Sequence, residues 1–312
     1  MKFSIIIPVY NAEKTLEKCV NSILKQKDNN VDIQIILVEN NSSDKSLDVC
    51  KQLISKDNSI ELFPCEKQGV SAARNIGLSH VKGDIVGFCD ADDYFEKDTF
   101  SLAQKYFKND LDILVFGMNI KDINGNQIDE RVYRKDRLLN SYQLIPLVLN
   151  DIRIMGSVCN KLYRREVVGN MIFRDDLSHC EDTFFNVEML INEKYRCRII
   201  DRALYNYVEN DKSVTRNGDY LFDENNQLKY IRAFEKMKTD LPLSFYLRRQ
   251  VGYAEASISA NYLIDESIDE MKMQILCRNI SRNLLDYLLV MWGYDWKFNL
   301  KKLIWFVKAL VK

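Results

Sequence analysis

The chain has 312 residues, 46% hydrophobic and 29% charged, with 44 basic against 45 acidic side chains for a net charge of −1. That suffices for one large domain or two smaller ones, and it provides no overall field to draw the chain to nucleic acid or an acidic membrane. The eight cysteines are scattered without a C-x-x-C pair, which speaks against a disulfide framework or a structural zinc site and fits a reducing compartment.

The opening apolar run, broken by Pro8, reads as too short for a signal peptide. No apolar stretch approaches the roughly 20 residues of a membrane-spanning helix. Over the first 120 residues two periods alternate. Residues 3–9 (FSIIIPV), 33–39 (IQIILVE), 60–64 (IELFP), 84–89 (DIVGFC) and 111–118 (LDILVFGM) are short runs rich in β-branched side chains. The first, second and fourth are apolar on both faces, the mark of buried parallel strands. Between them, Leu16, Cys19, Val20, Ile23 and Leu24 share one helical face, and Leu47, Cys50, Leu53 and Ile54 share another, with Ser43 or Asp44 as N-cap. Strand–helix–strand repetition predicts a doubly wound, mostly parallel α/β sheet that binds ligands at the carboxyl ends of its strands. Tyr10, Glu39 and the acids at 90–93 all fall there.

Those acids pose a problem. The strand at 84–89 runs straight into Asp90, Asp92 and Asp93, and like charges this close raise one another's pKa, so something positive must sit among them. Aspartates one residue apart at a strand tip suit Mg²⁺ or Mn²⁺, which takes few protein carboxylates and completes its shell with water and phosphate oxygens. A short acidic motif is also common on solvated loops.

Farther on, KLYRREVV (161–168) and EDTFFNVEMLIN (181–192) read as helices, the second with Phe184, Val187, Glu188 and Ile191 on one side and Glu181 and Asp182 in its first turn. The helix dipole alone favours acids there. From about 220 the pattern is nearly all helical, with Trp292, Trp296 and Trp305. In the final stretch 297–312, Leu300, Leu303, Ile304, Val307, Leu310 and Val311 oppose Lys301, Lys302, Lys308 and Lys312. That pattern suits a helix in a membrane interface or one docked on the protein's own core.

Four blocks, SIIIPVYNAEKTLEKCVNSIL, IILVENNSSDKS, GVSAARNIGL and GDIVGFCDADDYF, in this order and spacing resemble a family 2 glycosyltransferase with the GT-A fold. VCNKLYRREVV followed by HCEDTFFNVEML resembles the acceptor half of bacterial members that build surface polysaccharides, and ALYNYVENDKSVTR resembles their closing loop. The resemblance implies a GT-A domain over 1–216, with a nucleotide-sugar half at 1–100 and an acceptor half at 101–216; residues 217–312 form a C-terminal helical region, a candidate membrane or oligomer contact. By motif position, Pro8 and Tyr10 lie along the base, and Glu39-Asn40 replaces the usual acid pair that grips uracil, with the Asn40 amide oxygen able to accept its N–H. Arg74 meets the diphosphate or ribose, Asp90 the ribose or metal, and Asp92 ligates Mn²⁺ or Mg²⁺, while Asp93 stands behind them or caps the next helix. On the acceptor side Asp182 is the base, Glu181 orients the acceptor or tunes that base, and Lys161 contacts acceptor or phosphate; Ser213, Thr215 and Arg216 close over the diphosphate. A solvated role for Lys161 and a packing role for Tyr10 stand beside these.

The function so implied is inverting, metal-dependent transfer of a sugar from a nucleotide-sugar, a UDP-sugar by preference, to a hydroxyl of a growing glycan carried on a lipid. That places the protein in the cytoplasm or on the inner face of its membrane. Two rivals differ in class. A nucleotidyltransferase needs a Gly-rich basic loop after the first strand, where PVYNAEKTL has no glycine. A catalytically silent binding subunit is favoured only by the Glu39-Asn40 change.

Overall fold

The computed structural model describes residues 1–28, 30–192, 194–209, 222–223, 228–262 and 270–286. Its first half alternates as expected: β1 (Lys2–Val9), α1 (Leu16–Leu24), β2 (Asp32–Glu39), α2 (Ser46–Lys56), β3 (Ile60–Pro64), α3 (Val70–Ser79) and β4 (Ile85–Phe88). There follow β5 (Tyr94–Phe95), α4 (Thr99–Phe107), β6 (Ile113–Lys121), β7 (Gln127–Arg131), β8 (Arg137–Asn140) and α5 (Ser141–Asn150). The chain continues through β9 (Lys161–Arg164), α6 (Arg165–Val168), α7 (Glu181–Asn192), β10 (Arg196–Val208), α8 (Ile231–Asp240), α9 (Phe245–Tyr262) and α10 (Glu270–Arg282).

These strands join in one sheet of order β3-β2-β1-β4-β9-β6-β10-β5, with β7 on β6 and β8 on β10. β3, β2, β1 and β4 run parallel, and β6 runs parallel to β10. Phe3, Ile5, Ile6, Ile7 and Val9 of β1 are buried on both faces, as the unbroken apolar run required. Register fixes the site: Val9 lies beside Glu39, and Ile6 lies between Ile36 and Phe88, so the chain leaves β1, β2 and β4 along one rim. Leu16, Cys19, Val20 and Ile23 of α1 are buried as their spacing predicts. On α2, Cys50 and Leu53 are buried while Leu47 is largely exposed, so the apolar stripe is narrower than its spacing suggested. The N-cap of α2 is Lys45, one residue beyond the expected Ser43 or Asp44, and makes no side-chain capping bond; Asp44 instead accepts the N–H of Ser46 at 2.9 Å just before the helix.

One expected helix is a strand. Only Arg165–Val168 of KLYRREVV is helical; Lys161–Arg164 is β9, inserted antiparallel between β4 and β6. Those two strands both need a partner for their backbone groups, and four residues are too few for a period to declare itself. The insertion needs space: a Cβ on Gly87 of β4 would stand 2.6 Å from Leu162 Cδ2 and 2.9 Å from Ile5 Cδ1. EDTFFNVEMLIN is a helix as expected, but Phe185, Met189 and Leu190 are buried along with Phe184, Val187 and Ile191, so α7 is enclosed rather than amphipathic. Beyond the sheet α8, α9 and α10 pack together. The loop carrying Ser213, Thr215 and Arg216, the segment around 217–221 and the tail with Trp292, Trp296 and Trp305 lie outside the described residues. Among those described, no helix is long and apolar enough to cross a membrane.

Candidate active site

The positive charge demanded by the acids after β4 is Arg74, on α3. Its guanidinium is nearly wholly buried, 3% exposed, above the ring of Phe173 at 5.3 Å. Nη2 donates to Asp90 Oδ1 at 3.1 Å, and Nη1 donates to Asp182 Oδ1 at 2.6 Å and Glu181 Oε1 at 3.2 Å. One cation thus joins the acidic motif after β4 to the first turn of α7. Burial alone would discharge such a group, but Asp182 and Asp90 beside it keep it firmly protonated. Burial also raises the pKa of Glu181 and of Asp182, with Arg74 pulling both back. Three carboxylates on one guanidinium leave the cluster short of positive charge.

Asp92 stands apart from Arg74. Burial, then the charge of Asp90, pushes its pKa up to about 6. Asp93 turns away: it is buried, accepts from Tyr205 Oη and from the Val208 N–H, each at 2.8 Å, and does not cap α4. Tyr205 Oη in turn accepts the Asp90 N–H at 3.1 Å. Asp93 and Tyr205 therefore clamp the acidic motif to β10, while Asp92 and the partly exposed side chain of Asp90, held by Arg74 through Oδ1, lie outside that clamp. Two hard oxygen donors, with the pKa of the Asp92 carboxyl raised by burial and by the charge of Asp90, are a fitting seat for Mg²⁺ or Mn²⁺, which draws its other ligands from phosphate and water. Among the described residues no three His, Cys, Asp or Glu side chains converge as a complete metal cage.

At the ends of β1 and β2, Tyr10 is 52% exposed and Pro8 half-buried. Glu39 accepts the backbone N–H of Ser42 at 2.7 Å and of Asn41 at 3.3 Å. Asn40 corrects its expected role. It is buried, its Nδ2 donates to the carbonyls of Cys65 at 3.2 Å and Lys67 at 2.7 Å, and its Oδ1 accepts the Gly69 N–H at 2.8 Å. The amide is committed to the loop before α3. An aspartate there could not make the two donations, which gives a physical reason for asparagine at this position.

Lys161 is a second correction. It lies on β9 at 1% exposure, too deeply buried for the solvated role or the acceptor or phosphate contact expected of it. Its Nζ donates to the carbonyls of Ile154, Met155 and Ser157 and to Asn160 Oδ1. Sequence reasoning also missed Asn75, which exchanges two hydrogen bonds with the backbone of Phe173 at 2.9 and 2.7 Å, and Gly156, packed on Thr183 at the start of α7. Their partners lie tens of residues away in sequence, and only Asn75's place beside Arg74 in a quoted block could have drawn notice.

Residues 4–171 match the sequence model of the family described as Glycosyl transferase family 2. The chain belongs to this family. Among curated relatives it is 31% identical over 217 residues to the uncharacterized glycosyltransferase EpsJ of Bacillus subtilis, covering 68% of this chain and 62% of EpsJ. It is 27% identical over 216 residues to the poly(ribitol-phosphate) beta-N-acetylglucosaminyltransferase TarS of Staphylococcus aureus, covering 66% of this chain and 35% of TarS. The chain thus spans less than two thirds of either relative. The crystal structure of S. aureus TarS 1-349 in complex with UDP-GlcNAc superposes with a TM-score of 0.59 at 19% identity, over 92% of this chain and 89% of that one. The mannosyltransferase PcManGT from Pyrobaculum calidifontis, in complex with GDP-Man and Mn²⁺, gives 0.57 at 15% identity, over 99% and 86%. At these identities the likeness is one of fold, the GT-A α/β sheet.

Proposed function

We propose that this family 2 member is an inverting glycosyltransferase that moves a sugar from a nucleotide-sugar, a UDP-sugar first among candidates, to a hydroxyl of a growing cell-surface glycan. The observation that carries the reading is the meeting of Asp90, Glu181 and Asp182 on Arg74, which sets an acidic motif suited to a diphosphate beside a carboxylate suited to a hydroxyl. Family membership supports it, as do relatives named for poly(ribitol-phosphate) glycosylation and minor teichoic acid biosynthesis and a fold neighbour bound to UDP-GlcNAc.

In a single displacement the acceptor oxygen bonds to the anomeric carbon, the bond to the diphosphate oxygen breaks with its electron pair, and the acceptor proton must go to a base. Asp182 takes that proton. Arg74 keeps it ionised against its burial, and Glu181 orients the incoming hydroxyl. Asp90 and Asp92 would hold Mg²⁺ or Mn²⁺, which neutralises charge on the departing diphosphate. Tyr10, exposed just past the end of β1, would lie along the base, with Glu39 at the end of the neighbouring β2 beside it.

Calorimetry of UDP with Mn²⁺ and then with EDTA tests this, with GDP run in parallel. Binding should need the metal, vanish in Asp92→Ala and persist in Asp182→Asn, whose turnover should fall by about 10²–10⁴-fold. Equal loss of affinity in both variants would overturn the assigned roles; binding of GDP alone would change the donor.

A further inference from the structure

Lys161 is among the largest fully buried side chains of the protein, and no step above uses it. Its ammonium touches four oxygens: the carbonyls of Ile154 at 3.2 Å, Met155 at 2.9 Å and Ser157 at 2.6 Å, and Asn160 Oδ1 at 2.8 Å. Three carbonyls turned toward one point repel each other; Asn160 Nδ2 also donates to that of Ile154 at 2.8 Å, but those of Met155 and Ser157, half-buried, rely on the ammonium. A cation at their centre reverses the repulsion. The segment 154–158 so gathered has Met155 in the left-handed region, at φ 56°, a conformation few side chains adopt unaided.

That segment lies against the start of α7. The Val158 N–H donates to Asp182 Oδ2 at 3.3 Å, Asn186 Nδ2 donates to Gly156 O at 2.7 Å, and Gly156 packs on Thr183. The oxygen of Asp182 that Arg74 does not hold is therefore held by the same loop whose carbonyls converge on Lys161.

We infer that Lys161 is a positioning residue, an internal cation that folds the 154–158 loop so that its Val158 N–H orients the free oxygen of Asp182. The inference rests on the reading of Asp182 as the base. Burial draws the ammonium's pKa down to about 7, with Asp182 opposing it, and the four surrounding oxygens favour the charged form.

The test compares wild type with Lys161→Met, of similar length but uncharged, and Lys161→Arg. In Lys161→Met, hydrogen exchange at 156–159 should speed by about tenfold or more while β1 and β2 keep their protection. UDP affinity with Mn²⁺ should stay within about twofold, and kcat should fall by about 10–100-fold with the acceptor KM little changed. Lys161→Arg should restore part of both the protection and the turnover. Wild-type protection and turnover in Lys161→Met would overturn the inference, and so would faster exchange spread evenly over the molecule. Should Lys161→Met fail to fold, ¹⁵N-lysine NMR of wild type at pH 6 decides: a slowly exchanging ammonium resonance is expected, and its absence sinks the idea. If the protein neither binds UDP nor transfers sugar, the proposed activity fails, while the exchange and ammonium measurements still decide what Lys161 does.

Discussion

Asp92, the proposed metal ligand, illustrates the cost of a crowded carboxylate to the fold that carries it. Its carboxylate is ordinary at 3.8 when unfolded and about 6 in the fold, raised by burial and by Asp90. A raised carboxylate means that the folded state binds more protons between those two values, so its penalty is full above about pH 6 and gone below about pH 4. Asp92→Asn should therefore melt higher than wild type at pH 7.5, and the gap should shrink as the pH falls from 6 toward 4. A gap of constant size across that range would mean that the charge is not the cause. At this scale the sequence was a partial guide. The crowding at Asp90–Asp93 announced a missing cation, and Arg74 stood in a quoted motif, but nothing local marked it as the partner of Asp182. Asp93 looked like its neighbours and instead grips Tyr205 and the Val208 backbone, because the chain turns between β4 and β5, the Asp93 N–H donating to Asp90 O at 3.0 Å, and β5 then pairs with β10.

Among the elements, α7 matters most to the candidate chemistry, since its first turn carries Glu181 and Asp182. The 154–158 loop lies against that turn. A Cβ on Gly156 would overlap the Thr183 side chain and stand 3.1 Å from its Cα, where no rotamer change gives relief. Gly156→Ala should cost about 1–3 kcal/mol of stability, read from chemical denaturation, and should lower turnover far more than UDP affinity. Equal effects on both would place the strain elsewhere. β9 teaches the complementary lesson: four residues with no visible period become a central strand because β4 and β6 leave a gap that only an extended segment fills. The loop before α3 is similar, since Asn40 binds it from beneath.

For the whole molecule, a cluster with more carboxylates than cations predicts that the protein gains stability when the deficit is filled. With Mn²⁺ present and UDP at about 100 times its Kd, mass action contributes about 2.7 kcal/mol, enough to raise Tm by about 4 °C for a chain of 312 residues. EDTA should remove the shift, and Asp92→Ala should never show it; a shift that survives EDTA would detach nucleotide binding from the metal. The amino-acid sequence by itself determined the strand–helix alternation of the first 120 residues, the rim where β1, β2 and β4 end, the family, and the helix at 181–192. These are written in local period and contiguous motif. Only the tertiary structure decided that Arg74 ties Asp90 to Asp182, that Asn40 and Lys161 serve loops rather than the open cleft, and that β9 is a strand. Each of those depends on groups far apart along the chain, brought together because a buried charge or backbone group must find its partner wherever the fold supplies one.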